Sequence, residues 1–129
     1  MILLDTNIVV AYLNGHSVIA QRIADRLSQI AIPSLVAAEL YYGACASARA
    51  KENLAKLDLF CQAVSITNFD LAAARRFGVL KADLRKRGRL TGETDAWVAA
   101  IALANNATLV THNTRDYDHI SGLRLEDWL

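Results

Sequence analysis

Two cysteines, one proline and six glycines in 129 residues leave little material for a disulfide framework, a Pro/Gly-rich linker or a repetitive fibre. Cys45 and Cys61 lack metal-type spacing and sit among apolar neighbours, so both are expected to be buried free thiols. Long apolar runs are missing too. The longest, Ala96–Ala104, has nine residues, against the roughly 20 that a membrane-spanning helix needs. The N-terminus has no basic region and reaches Asp5 before any apolar leader core forms, so a mature, cytoplasmic chain is expected. A hydrophobic fraction of 53% excludes disorder. The length suits one domain over residues 1–129, burying roughly two thirds of its unfolded surface.

What is present is an alternation of element types. Ile2–Leu4 reads as a short apolar strand, and Asp5-Thr6-Asn7 as helix-cap chemistry leading into Ile8–Leu13. Val18, Ile19, Ile23 and Leu27 predict an amphipathic helix. Ile30–Ile32 reads as a second strand closed by Pro33, with Ser34 as the N-cap of a helix through about Ala46. A more polar helix over Ala48–Phe60 and a strand at Ala63–Ile66 follow. Asn68 is expected to cap a long helix with Ala73, Phe77, Leu80 and Leu84 on its core face. Gly88 and Gly92 bracket a loop, Thr94 is expected to cap an apolar helix to Asn105, and strands are expected at Thr108–Thr111 and Leu123–Leu125. Buried strands alternating with helices argue for a parallel sheet covered on both faces, an α/β fold.

Charge is scarce in three stretches, and each contains one carboxylate. Residues 1–21 carry only Asp5, residues 27–48 only Glu39, and residues 94–114 only Asp95. Burying an unpaired carboxylate costs several kcal/mol, and none of these stretches supplies a lysine or arginine. Asp5 follows the first strand, and Asp116 follows the Thr108–Thr111 strand by a few residues. Asp95 and Glu39 are expected in the first turns of helices. In an open parallel sheet the crevice beyond the carboxyl ends of the strands, near the reversal of strand order, is where ligands bind. If the four acids meet there, only a cation relieves their repulsion, and an all-oxygen donor set selects Mg²⁺ or Mn²⁺. His16, His112 and His119 share no ligand spacing.

Plainer readings compete. Asp5 is also a good helix cap, Asp95 also favours the positive end of its helix, Glu39 could be buried against Tyr41 or Tyr42, and Asp116 lies in an ordinary polar loop.

Positive charge is concentrated instead of scarce in one window. Between Arg75 and Arg89 seven basic residues oppose one acid, Asp83, a local net charge of +6 that leaves −5 for the rest of the chain. The strip ends at the loop before Asp95, so phosphates held by Arg85, Lys86, Arg87 and Arg89 would lie beside the acids, as a nucleic-acid substrate requires.

With these residues in view, the chain resembles PIN-domain proteins, in particular the VapC-like ribonuclease toxins of type II toxin–antitoxin modules. The matching segments are Leu4-Asp5-Thr6-Asn7, Ser34–Leu40 with Gly43, Asp95–Ala100 with Leu103 and Ala104, and Leu109–Asn113 through Asp116-Tyr117. The resemblance implies a three-layer α/β/α sandwich with a five-stranded parallel sheet, and Asp5, Glu39, Asp95 and Asp116 as the catalytic, metal-binding set. It implies an endoribonuclease dependent on Mg²⁺ or Mn²⁺, a homodimer, and inhibition by an antitoxin that binds operator DNA. Thr6, Asn7, Ser34, Thr111 and Asn113 would orient carboxylates or waters. Glu93, where related sequences often carry a further acid, would support the set. A catalytically silent binding partner is the alternative reading, and retention of all four acids counts against it. A phospho-accepting receiver domain would need an aspartate ending a central strand and a lysine after a later one, and neither is present.

Overall fold

The computed structural model describes all 129 residues. In chain order the elements are β1 (Ile2–Leu4), α1 (Thr6–Leu13), α2 (Ser17–Asp25), β2 (Ile30–Pro33), α3 (Ser34–Ala46), α4 (Ala50–Ala63), β3 (Ser65–Thr67), α5 (Leu71–Lys86), α6 (Glu93–Ala104), β4 (Thr108–Val110) and β5 (Arg124–Glu126). The five strands form one sheet in the order β3-β2-β1-β4-β5, and every neighbouring pair is parallel. The chain runs from β1 outward to β3, then crosses back through α5 and α6 to β4 on the other side of β1. Right-handed crossovers therefore put α1–α4 and α5–α6 on opposite faces, which makes the α/β/α sandwich. The reversal lies between β1 and β4, where the backbone N–H of Asp5 donates to the Val110 carbonyl at 2.9 Å.

The core is continuous from Leu3, Leu4 and Ile32 in the sheet to Ile8, Val36, Leu80 and Ile101 on the helices. Of the face expected for α2, Ile19 and Ile23 are buried, whereas Val18 stays exposed and Leu27 falls in a short 3-10 turn, also exposed. On α5, Ala73, Leu80 and Leu84 are buried and Phe77 is half-buried, its ring meeting Phe69 and Trp97. No helix is long and apolar enough to cross a membrane.

Several local expectations are corrected. Ser34 is the first residue of α3, and the extended Pro33 occupies the cap position without a side-chain bond; proline's fixed φ both ends the strand and leads into the helix. Asp70, not Asn68, caps α5 by accepting from the Ala73 N–H at 2.9 Å, a place where its negative charge meets the positive helix end. Gly92, not Thr94, precedes α6. A Cβ on Gly92 would stand 3.5 Å from Asp95 Oδ2, an ordinary van der Waals contact. The cysteines are not fully buried: Cys45 is exposed, and Cys61 is half-buried at the edge of the core.

Candidate active site

Asp5 holds the centre of the site. It is the N-cap of α1, 7% exposed, with Oδ1 accepting from the Thr6 N–H at 2.9 Å. Its Oδ2 accepts from the Thr111 hydroxyl at 2.9 Å and from the Tyr117 hydroxyl at 3.1 Å. The cap reading and the site reading of Asp5 are thus both true, one for each oxygen. Thr111, fully buried one residue beyond β4, accepts from Asn7 Nδ2 at 3.3 Å and from the Asn113 N–H at 3.1 Å. Asn7 Oδ1 in turn accepts from the His112 N–H at 2.9 Å. These bonds splice the start of α1 onto the segment after β4.

Tyr117 carries the pattern across to α6 in the other helix layer. Its hydroxyl also reaches Asp95 Oδ1 at 3.1 Å, and its ring is buried. Burial first, then the charges of Asp5 and Asp95, pushes the phenol far above its usual range. It therefore stays a donor with one proton facing two carboxylates. Asp95, in the first turn of α6, has its carboxyl raised above the ordinary carboxylate range, mainly by burial. The Tyr117 hydrogen bond opposes the shift, while the charges of Asp5 and Asp116 add to it. Glu39, in the second turn of α3, is likewise raised, by partial desolvation of its carboxyl and then by the charges of Asp5 and Asp95. The Thr6 hydroxyl beside Glu39 acts on it in the opposite direction.

Three widely separated acids therefore feel one another at the switch point, with Asp116 beside Asp95. Glu39 is an exposed residue and bonds neither Tyr41 nor Tyr42; Tyr41 donates to Asp58 at 2.5 Å instead. Asp116, also exposed, ends a 3-10 turn over Thr114–Asp116. No group of three or more acidic, histidine or cysteine side chains stands in an arrangement that could hold a metal ion; Asp5 and Asp95 instead share the Tyr117 hydroxyl. None of the molecule's ion pairs involves these four acids. In donor chemistry, oxygen atoms with raised carboxyls and no ion-paired cationic side chain suit a hard divalent cation.

The other expected residues divide. Asn7, Thr111 and the backbone of Asn113 join the network, whereas no side chain closes the N-terminus of α3 where Ser34 stands. Glu93 is exposed and paired with Lys81 at 3.2 Å, so it ties α6 to α5 and does not face the other acids through a hydrogen bond. The histidines have separate work: His16 accepts from the Ile19 N–H to cap α2, the His112 ring meets Asp127, and the His119 ring meets Thr91. In the basic strip, Arg87 is tied to Asp83 at 2.7 Å and donates to the His119 carbonyl at 2.6 Å. Arg85 and Arg89 remain exposed and line, with Lys81, an open groove of about 680 Å³. Tyr117 is the residue missed as a site residue. Its signal in the sequence was only an aromatic following Asp116, indistinguishable from a core side chain.

A doubly wound α/β/α protein with carboxylates near the point of strand reversal belongs to the class of α/β proteins whose ligands are taken up beyond the carboxyl ends of the strands. The chain belongs to the PIN-domain family: the PIN domain model matches residues 2–123. It is 37% identical over 129 residues to ribonuclease VapC2 of Rickettsia felis, covering 98% of this chain and 96% of that one. It is 34% identical over 127 residues to the tRNA(fMet)-specific endonuclease VapC of Shigella flexneri, with 98% and 96% coverage. Among solved structures, a chain of VapBC2 from Rickettsia felis bound to a DNA fragment from their promoter superposes with a TM-score of 0.93, at 36% identity and 100% coverage of both. A chain of DNA-bound VapBC from Salmonella typhimurium gives 0.94, at 31% identity and coverage of 99% and 98%.

Proposed function

We propose that this chain is a divalent-metal-dependent endoribonuclease and the toxin of a toxin–antitoxin pair, with Asp5, Glu39, Asp95 and Asp116 as the ligands of Mg²⁺ or Mn²⁺. The observation that carries the reading is the acidic cluster at the switch point, lacking any cationic side chain, in a chain similar to proteins named ribonucleases. A bound divalent ion supplies positive charge that acidifies water and offsets the charge gathered on the phosphorus in the transition state.

The protein's own residues do the positioning. Thr111, Asn7 and the Thr6 N–H hold Asp5 in one rotamer, and the start of α6 favours the charged form of Asp95. Arg85, Lys86 and Arg89, free of ion pairs, anchor the RNA backbone, while Arg87 shapes the strip through Asp83 and His119. Because a water and not the ribose 2′-hydroxyl is the nucleophile, cleaved RNA carries a 5′-phosphate and a 3′-hydroxyl.

An antitoxin is the expected protein partner. An apolar groove of about 520 Å³ between α1, α2 and α4, lined by Tyr12, Leu13, Ile23, Leu27, Leu59 and Phe60 among others, offers it a seat. Operator DNA is reached through that antitoxin, and the toxin itself pairs as a homodimer.

The test is digestion of RNA, beginning with initiator transfer RNA, by the purified chain with Mn²⁺, followed by sequencing of the ends. Cleavage with 5′-phosphate ends that disappears in Asp95→Asn supports the reading. A 2′,3′-cyclic phosphate, or wild-type activity in Asp95→Asn, overturns it.

A further inference from the structure

We propose that Tyr117 is a positioning residue of the acidic site: its buried phenol ties Asp5 to Asp95 and fixes which oxygen of each carboxylate is left for a cation. The proposal rests on the reading of these acids as metal ligands and adds a residue outside the four.

The hydrogen-bond inventory makes the choice of oxygens. Asp5 Oδ2 accepts from the Thr111 hydroxyl and shares the single Tyr117 proton with Asp95 Oδ1, whereas Asp5 Oδ1 accepts only from the Thr6 N–H. Asp95 Oδ1 faces the shared phenol proton, and Asp95 Oδ2 accepts no hydrogen bond. The oxygens left with acceptor capacity are therefore Asp5 Oδ1 and Asp95 Oδ2. Because the phenol bonds the other oxygen of each carboxylate, it orients the pair without competing for the ligating positions.

The strut is rigid for reasons of packing. Tyr117 is 1% exposed, a member of the core, and follows the 3-10 turn that ends in Asp116. One short segment thus supplies both an acid and the group that aligns two others. Asp5 and Asp95 arrive from β1 and α6, on opposite sides of the chain's crossing back over the sheet, and no other side chain hydrogen-bonds both.

The test is Mn²⁺ affinity, read from the electron paramagnetic resonance of free Mn²⁺ during titration of the RNA-free chain, beside the metal-free melting curve. Tyr117→Phe keeps the ring and removes only the hydroxyl. It is expected to weaken Mn²⁺ binding by about tenfold, the size of effect seen when a partner that orients a ligand is removed. Replacing Tyr117 by 4-aminophenylalanine, which restores a donor, is expected to bring the affinity back to within about threefold of wild type. Ile30→Ala, at the opposite end of the sheet, is expected to lower the melting temperature and leave Mn²⁺ affinity within about twofold, separating positioning from stability. Wild type that binds Mn²⁺ with Tyr117→Phe binding as well or better overturns the role of Tyr117 alone. Wild type that binds no Mn²⁺ overturns the ligand assignment, and this inference with it.

Discussion

Thr111→Val removes one oxygen from the middle of the site and preserves shape, so its cost can be worked out bond by bond. The hydroxyl donates to the Asp5 carboxylate at 2.9 Å, a bond to a charged group worth about 2 kcal/mol. It also accepts from Asn7 Nδ2 at 3.3 Å and from the Asn113 N–H at 3.1 Å. Asn113 is exposed and can turn to water, so these two together add about 1 kcal/mol. The extra buried methyl returns about 1 kcal/mol, leaving a net loss of about 2 kcal/mol. For a chain of this length that corresponds to a drop of about 8 °C in melting temperature. The assay is urea denaturation of the metal-free protein, where the midpoint falls with the slope unchanged. Thr111→Ser keeps the hydroxyl and serves as the control. A loss below about 0.5 kcal/mol in Thr111→Val, or a loss in Thr111→Ser at least as large, would show that the network around Asp5 does not stabilise the fold and refute the reasoning.

The two central acids are expected to respond oppositely to amide substitution. Asp95→Asn relieves repulsion and stabilises the metal-free protein at neutral pH, whereas Asp5→Asn destabilises it, since one amide oxygen cannot accept the three bonds that the carboxylate accepts; thermal melts of both variants check this. The raised carboxyls of Glu39 and Asp95 also set a pH dependence. Their contribution to stability is full below the ordinary carboxylate range and is lost as pH rises through their raised values. The gain in melting temperature from Glu39→Gln or Asp95→Asn should therefore grow as pH rises through the weakly acidic range, and a gain independent of pH would contradict it. Arg85→Ala with Arg89→Ala should weaken RNA binding and lower its salt dependence by about two phosphate contacts, with Mn²⁺ affinity unchanged, as measured by fluorescence anisotropy across a salt series.

How much of this was legible follows from where each signal lives. Asp5, Glu39 and Asp95 stand out because each is the only charge in a long uncharged stretch, a feature of composition that needs no coordinates. The strands were found within a residue or two because their apolar and β-branched residues are bounded by turn chemistry. The caps were less legible. Asn68 and Thr94 have good capping side chains, yet Asp70 and Gly92 hold those positions, since the helix start depends on how the preceding loop meets the rest of the molecule. The exposure of Glu39 and Cys45 was hidden for a similar reason: apolar neighbours in sequence do not fix which side of a helix faces the core.

By itself the amino-acid order determined that strands and helices alternate, that acids are isolated and that basic charge is massed before Asp95, because these are properties of neighbours along the chain. Only the tertiary structure decided that β1 and β4 lie side by side, that Thr111 and Tyr117 both turn onto Asp5, and that Glu93 pairs away with Lys81. Those contacts join residues up to 112 positions apart, and which of many equally plausible polar groups meet at such separations is settled by how the crossovers bring the strand ends together.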